Sequence, residues 1–90
     1  MKKLRFSHQF KKDFKRYRHR PKMIEELNSI LNILAKGDPI PSEKSPHPLS
    51  GQYKGCMECH IGADYLLIWR DESSYIVYIL RLGSHSELFD

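Results

Sequence analysis

Residues 65–82 read YLLIWRDESSYIVYILRL and indicate a β-hairpin. Two runs rich in β-branched and aromatic residues, Tyr65–Trp69 and Tyr75–Leu82, flank the polar sequence DESS, which favours a turn. A third run of this kind, Tyr53–His60, precedes them and is separated from them by the sequence GAD. We therefore predict three antiparallel strands, joined as a meander, in the C-terminal half of the chain.

The N-terminal segment predicts one short strand and one helix. Lys3–Phe6 alternates between polar and apolar residues, as a half-buried strand does, and Ser7 can cap a helix that extends to about His19. Aromatic residues recur at spacings of four, four and three, at Phe6, Phe10, Phe14 and Tyr17. This spacing puts the rings on one helix face and indicates a core-facing stripe rather than a base-stacking platform.

A second helix is predicted between Pro21, which suits a first helical turn, and Gly37, which favours a helix end. Apolar residues recur between them at helical spacing, namely Ile24, Leu27, Ile30, Leu31 and Leu34. The segment 37–48 then contains four of the five prolines, so it cannot be regular helix or central strand. We predict a long loop there.

The order of these elements predicts an α+β fold. Two N-terminal helices would pack on a small antiparallel sheet in the order β-α-α-β-β-β, with a short helical turn at Ser84–Phe89. Ninety residues, 40% of them hydrophobic, are enough for one compact core, so we expect a single domain over residues 1–90. No apolar run approaches the roughly 20 residues that span a bilayer, and no apolar signal segment begins the chain. We therefore expect a cytoplasmic location without membrane contact.

Positive charge is concentrated in the N-terminal part of the chain. Residues 1–36 carry eleven lysines and arginines against three acidic residues, whereas residues 37–90 carry four against eight. The formal net charge is +4. Such a basic surface attracts phosphate backbones or an acidic protein partner, and it is equally compatible with a solvated helix face.

The sequence Cys56-Met57-Glu58-Cys59-His60 has the spacing of a c-type haem attachment site. Its predicted setting is a strand, in which residues three apart point to opposite faces, so the two thiols would not converge on haem or on zinc. We therefore expect two free thiols, no metal and no cofactor.

Three of the five histidines lie where strand ends and loops could meet at one edge of the sheet, at His47, His60 and His85. Glu58, Asp64 and Arg81 lie near the ends of the same predicted strands. Histidine exchanges protons near neutral pH, and an arginine neutralises phosphate. The set fits cleavage of RNA by its own 2′-hydroxyl, which needs a base, an acid and a cation but no metal.

Two stretches carry a more specific pattern. They are residues 47–69, with HPLSGQYKG at 47–55, His60, and DYLLIW at 64–69, and residues 81–89, with RLGSHSELF. In these motifs, their order and their spacing, the chain resembles the YafQ branch of the RelE-like toxins of bacterial toxin–antitoxin systems. The basic helices also have a counterpart in that family, so the resemblance covers nearly the whole chain.

The resemblance implies a microbial-ribonuclease-like fold, cleavage of mRNA, commonly on the ribosome, and an acidic, partly disordered antitoxin as partner. His85 corresponds to the general acid, and the family's other active-site positions correspond to His47, His60, Asp64 and Glu58. Contacts with RNA are implied for Arg81, Phe89, Tyr65 and Lys54. Tyr65 stands where relatives can carry tryptophan, and Phe89 could instead pack the C-terminal turn onto the sheet.

Two other classes of function stay open at this point. One is a non-catalytic RNA- or protein-binding module with the same fold, and the other is a haem or metal protein. RNA cleavage would separate a toxin from the binding module, whereas visible absorbance or metal analysis would reveal a haem or metal protein.

Overall fold

A computed structural model describes residues 1–89 of the chain. The elements are β1 (Lys3–Phe6), α1 (His8–Tyr17), α2 (Pro21–Lys36), β2 (His47–Pro48), β3 (Met57–Ile61), β4 (Tyr65–Asp71), β5 (Ile76–Ser84) and α3 (His85–Phe89), with 3₁₀ turns at Ser42–Lys44 and Gly51–Tyr53. The strands form one five-stranded sheet in the order β1-β5-β4-β3-β2. The predicted α+β class, with two N-terminal helices, a C-terminal meander and a final helical turn, is confirmed.

The sheet is mixed, which corrects the prediction of a wholly antiparallel one. β3, β4 and β5 pair antiparallel, but β1 lies parallel to β5, with Lys3 beside Ile76 and Phe6 beside Ile79. Two parallel strands need a long connection between them, and here the connection is the whole chain between β1 and β5. Local sequence pattern does not reveal a pairing between residues this far apart in the chain.

β2 is a two-residue edge strand within the predicted loop. His47 pairs with Glu58, and Pro48 pairs with Met57. Proline has no N–H to donate to a neighbouring strand, so an edge position suits it. β3 begins at Met57 rather than at Tyr53, which belongs to a 3₁₀ turn instead.

The helices begin and end close to the predicted positions. Ser7 Oγ accepts a hydrogen bond from the Phe10 N–H at 2.9 Å and so caps α1, which ends at Tyr17. Gly37 ends α2 with φ at 76°, a left-handed conformation that glycine adopts without a steric penalty. Within residues 1–89, no helix combines the length and the hydrophobicity needed to cross a bilayer.

The main core lies between the two long helices and one face of the sheet, here called the helix face. Its fully packed members are Phe10, Tyr17, Met23, Leu27, Ile30, Leu34, Cys59, Ile61, Leu67, Trp69, Val77, Ile79 and Leu82. A smaller apolar cluster covers the other face, here called the site face, and contains Cys56, Leu66, Ile68 and Leu88. β4 is therefore buried on both faces, and α3 and the loop before β3 cover its second face.

Candidate active site

A cleft of about 470 Å³ lies on the site face and is lined by His47, Glu58, His60, Ala63, Asp64, Leu66 and His85. We call it the histidine cleft. It contains all five side chains predicted to take part in catalysis. Strand pairing brings them together, because His47 lies beside Glu58 and His60 lies beside Leu66. Leu66 pairs in turn with Gly83, two residues before His85.

Hydrogen bonds hold His47 at both ring nitrogens. Its Nε2 lies 3.0 Å from Glu58 Oε1, and its Nδ1 lies 2.8 Å from the backbone oxygen of Ser45. A backbone oxygen only accepts hydrogen bonds, so Nδ1 is the donor to Ser45 and carries a hydrogen. Both ring nitrogens are occupied by these contacts, so in this arrangement neither is free to take a proton from another molecule.

Glu58 is an ionisable residue in a buried position, with a side chain only 6% exposed. Its Oε1 meets His47, but its Oε2 is buried and has no hydrogen-bond partner among the residues that the structure describes. A buried polar atom without a partner is costly. Among residues 1–89, the wall of the histidine cleft thus contains a buried acceptor oxygen that no hydrogen bond satisfies.

His85 begins α3 directly after β5 and is exposed at the histidine cleft. Its ring lies 5.0 Å from the ring of Phe89, which meets the Tyr53 ring edge-on at 5.7 Å. Phe89 is 39% exposed, whereas its neighbour Leu88 is buried in the smaller cluster. Leu88 therefore fastens the C-terminal turn to the sheet, and Phe89 keeps part of its ring available beside His85.

Arg81 is held in an ion pair beside the cleft. Its Nε lies 2.9 Å from Asp13 Oδ2, and its Nη1 lies 3.3 Å from the hydroxyl oxygen of Tyr53. Hydrogen bonding to Asp13 raises the pKa of Arg81 above its ordinary value, so the guanidinium stays charged. A guanidinium has five N–H groups, and these contacts leave some of them able to bind a phosphate.

None of the four residues predicted to contact RNA lines the histidine cleft. Arg81 and Phe89 lie beside it, whereas Tyr65 and Lys54 lie elsewhere. Tyr65 packs on the helix face, where its ring meets Tyr17 edge-on at 5.0 Å and its hydroxyl accepts a hydrogen bond from Arg20. Strand alternation explains this placement, because the next residue, Leu66, points to the site face. Lys54 is exposed at the end of the second 3₁₀ turn and is not among the cleft-lining residues.

Three further residues shape the site and were not singled out from the sequence. Asp13 and Tyr53 hold the Arg81 guanidinium, and Glu87 accepts a hydrogen bond from the backbone N–H of Ser84 at 2.9 Å. The sequence contains a signal for two of these three residues. Asp13 is the lone acidic residue of a basic helix, and Ser84-x-x-Glu87 is the pattern of a capping box.

Cys56 and Cys59 are free thiols that lie in different clusters on opposite faces of the sheet. Cys59 belongs to β3, whereas Cys56 lies just before this strand. Burial raises the pKa of Cys59 to about 12, so its thiol is protonated at neutral pH. A protonated, buried thiol is a poor nucleophile and a poor metal ligand.

The histidine cleft brings groups that can donate and accept protons into one small volume, and a positive charge lies beside it. His85 is an exposed imidazole, and His60 and Asp64 provide further groups that can exchange protons. Arg81 provides a positive charge that is held in place by hydrogen bonds. This arrangement suits a phosphate-containing molecule that undergoes proton transfer.

A family model described as bacterial toxin of type II toxin-antitoxin system, YafQ, matches residues 2–90. The chain is 30% identical over 87 residues to the mRNA interferase toxin YafQ of Escherichia coli K12, covering 96% of this chain and 94% of the relative. The toxin in a crystal structure of the E. coli DinJ-YafQ complex is 28% identical, with a TM-score of 0.87 and 100% coverage of both chains.

A copper-bound mutant toxin from Helicobacter pylori is 36% identical and has a TM-score of 0.89, covering 99% of this chain and 100% of that one. In this chain, residues 1–89 present no group of three or more His, Cys, Asp or Glu side chains arranged to hold a metal ion. The residues thus do not fit a metal centre as they stand. Because the family model spans nearly all of the sequence, the chain belongs to the YafQ family of toxins of bacterial type II toxin–antitoxin systems.

Proposed function

We propose that the chain is an endoribonuclease that cleaves mRNA in the cytoplasm as the toxin of a type II toxin–antitoxin system, with residues 1–90 as its single domain. The histidine cleft carries this proposal, because it combines three histidines with Glu58 and Asp64. The name of the E. coli K12 relative, an mRNA interferase, supports the same substrate class.

In the proposed reaction the 2′-oxygen of RNA attacks the adjacent phosphorus without the help of a metal. The bond from phosphorus to the 5′-oxygen breaks, which leaves a 2′,3′-cyclic phosphate on the upstream fragment and a 5′-hydroxyl on the downstream fragment. His85 gives its proton to the departing 5′-oxygen. His60 and Asp64 are the candidates for the base that takes the 2′-proton, since His47 is bonded at both ring nitrogens.

A fixed positive charge supports the transition state of this reaction. The Arg81 guanidinium is oriented by Asp13, and the His47 ring is oriented by Glu58. Charges that are already oriented stabilise a developing negative charge without reorganisation. The exposed part of Phe89 offers a ring on which an RNA base can stack. Lys54, exposed near Tyr53, is proposed as a contact for the RNA backbone.

The deciding experiment measures cleavage of end-labelled mRNA by purified protein, free and bound to ribosomes. We expect cleavage, faster on ribosome-bound mRNA, and a cyclic phosphate on the upstream product. His85→Ala should lower the rate about 10²–10⁴-fold, the usual contribution of a positioned acid. His8→Ala, an exposed change at the start of α1, is the matched control and should leave the rate unchanged.

The alternative functions and the alternative mechanism each predict a different result. Folded wild-type protein that binds RNA without cutting it would identify a non-catalytic binding module. Cleavage that stops when divalent ions are chelated, and resumes when they are added back, would contradict the metal-free scheme. A visible absorbance band in the purified protein would indicate haem.

The proposed partner is an antitoxin whose acidic, partly disordered segment covers a groove between α1 and α2. Aromatic and aliphatic side chains line this groove, with cationic and polar side chains around them: Phe6, Phe10, Phe14, Leu31, Lys11, Lys15, Arg18 and Asn28. Phe6 is 38% exposed there. An amphipathic acidic segment complements both features, because its apolar residues can cover the rings and its carboxylates can pair with the cations. The relative crystallised with DinJ supports a protein partner.

Charge reversal at the groove tests this part of the proposal. The double variant Lys11→Glu with Lys15→Glu should weaken binding of the antitoxin encoded beside the toxin gene, measured by calorimetry. Lys36→Glu, an exposed change at the far end of α2, is the control and should leave the affinity close to that of the wild type. Equal affinities for both variants would show that the antitoxin binds elsewhere.

A further inference from the structure

The turn that carries His85 is closed by two reciprocal hydrogen bonds. Ser84 Oγ accepts from the Glu87 backbone N–H at 3.3 Å, and Glu87 Oε1 accepts from the Ser84 backbone N–H at 2.9 Å. This is the capping-box arrangement that starts a helix. His85 is the residue directly after Ser84, so the pair fixes the backbone from which the imidazole projects.

The carboxylate of Glu87 also joins this turn to α1. The Tyr17 hydroxyl donates to Glu87 Oε1, and the Arg16 guanidinium pairs with Glu87 Oε2. Tyr17 is only 4% exposed and belongs to the main core, so it is a rigid anchor. One side chain thus connects the end of β5, the start of α3 and the last turn of α1.

The turn packs closely against the position that precedes it, Gly83. A Cβ built on Gly83 would lie 3.3 Å from Leu88 Cδ2 and 3.4 Å from Glu87 Oε1. α3 has five residues, and a helix this short does not hold its shape by itself in water. Its geometry therefore depends on two anchors, the burial of Leu88 and the hydrogen bonds of Glu87.

We propose that Glu87 is a positioning residue that aims His85 at the departing 5′-oxygen. This inference rests on the proposed function, in which His85 protonates that oxygen as the bond from phosphorus breaks. Glu87 does not line the histidine cleft, so in this role it acts through His85 and not on the RNA itself. Misplacement of a catalytic group by about 1 Å can cost on the order of 10²-fold in rate, so loss of this clamp should reduce turnover while substrate binding persists.

The first part of the test separates kcat from KM in RNA cleavage. Glu87→Ala should lower kcat about 10–100-fold, because the acid is no longer held in place, and should leave KM nearly unchanged. Glu87→Gln keeps an oxygen that accepts from Ser84 N–H and Tyr17 hydroxyl, so it should retain most of the activity. Glu43→Ala, at an exposed acidic residue of the first 3₁₀ turn, is the matched control.

The second part uses a substrate in which sulfur replaces the bridging 5′-oxygen. Sulfur departs as a thiolate and needs no proton, so the acid becomes unnecessary for this substrate. The defects of Glu87→Ala and His85→Ala should then both disappear, with rates close to that of the wild type. A defect in Glu87→Ala that persists undiminished on the sulfur substrate would overturn the proposal, because the variant would then be damaged in some other way.

Other outcomes are equally decisive. Wild-type kcat in Glu87→Ala, or equal losses in Glu87→Gln and Glu87→Ala, would overturn the positioning role. If Glu87→Ala does not fold, Ser84→Ala removes one hydroxyl from the same turn, and a normal kcat in that variant would also overturn it. Failure of the wild type on both substrates would instead refute the proposed function, which distinguishes the two results.

Discussion

Asp13 is an acidic residue that is almost fully buried, with 2% exposure, on an otherwise basic helix. Beyond the end of β1, the outer edge of β5 has no strand beside it, and Asp13 occupies that position. Its Oδ2 accepts from the Leu82 backbone N–H at 3.0 Å and from Arg81 Nε at 2.9 Å. One carboxylate thus satisfies a sheet edge and fixes a cation next to the histidine cleft.

Removal of this carboxylate should destabilise the fold. Asp13→Ala leaves a buried N–H and a largely buried guanidinium without their partner. We therefore expect the free energy of unfolding to fall by about 2–4 kcal/mol. Asp13→Asn keeps an oxygen acceptor and should lose less. Urea titrations of both variants against Asp38→Ala, an exposed loop control, measure the difference. If Asp13→Ala lowers the free energy of unfolding no more than the control does, the buried contacts of Asp13 contribute little to stability.

Cys59 makes the stability sensitive to alkaline pH. Burial raises the pKa of its thiol from 9.0 to about 12 in the folded chain. Between these values the unfolded chain releases the Cys59 proton while the folded chain keeps it, so stability falls as pH rises through this window. Below it both states are protonated and the effect is absent.

A Cys59→Ala variant isolates this effect from the other groups that titrate in alkali. The free energy of unfolding, measured in urea at about pH 8 and about pH 11, should fall more for the wild type than for the variant. The difference in the free energy of unfolding between the wild type and the variant should therefore shrink as pH rises. A difference that stays constant would show that Cys59 does not titrate differently in the folded and unfolded states.

At the scale of elements, Ser7 joins β1 to α1. Its hydroxyl oxygen accepts from the Phe10 N–H at 2.9 Å, and the same hydroxyl donates to the Leu80 backbone oxygen at 2.7 Å. Leu80 is the residue of β5 that has no partner across the register shift between β4 and β5. The N-cap of α1 thus also satisfies a backbone group at an irregular point of the sheet.

Ser7→Ala removes both hydrogen bonds and should destabilise the protein by about 1–2 kcal/mol, the usual cost of losing an N-cap together with a buried hydrogen bond. Ser29→Ala is a suitable comparison, because Ser29 is exposed on α2 and alanine is the better helix former. That change should be neutral or slightly stabilising. Equal effects on the urea midpoint would show that the Ser7 hydroxyl does not cap α1 in solution.

At the scale of the whole molecule, the basic surface and the candidate active site lie on different sides of the sheet. The basic helices pack on the helix face, and the histidine cleft opens on the site face. An antitoxin segment that contacts both must pass around an edge of the sheet. Attraction by the basic helices and inhibition at the cleft are then separate contributions to one binding event.

This separation predicts a graded response to salt. Exposed charges are screened over about 8 Å at physiological ionic strength, so the antitoxin should bind less tightly as salt is added. The wild type should show a steeper salt dependence than the Lys11→Glu, Lys15→Glu double variant in calorimetry. An affinity independent of salt would indicate that apolar contacts alone hold the partner.

Local sequence predicts most of the helices and strands of this protein and five of the residues that line the cleft. Strand runs, the Ser7 cap, the Gly37 stop and the histidine-containing motifs are all patterns of nearby residues, and each follows from backbone and side-chain preferences over a few positions. Because the meander folds neighbouring strands onto each other, His60 and His85 could be expected at one edge. The loop before the meander can bring His47 to the same edge, and the family resemblance adds the roles that these histidines and Asp64 would take.

Only the tertiary structure decided which distant groups meet. The parallel pairing of β1 with β5 and the contact of Asp13 with Arg81 join residues about seventy positions apart, and no local preference encodes such a pairing. The face of the sheet on which Tyr65 lies depends on strand register, because a shift of one residue exchanges the two faces of a strand. Register is set by burying the apolar residues of the whole sheet against α1 and α2, a cooperative property of the packed core.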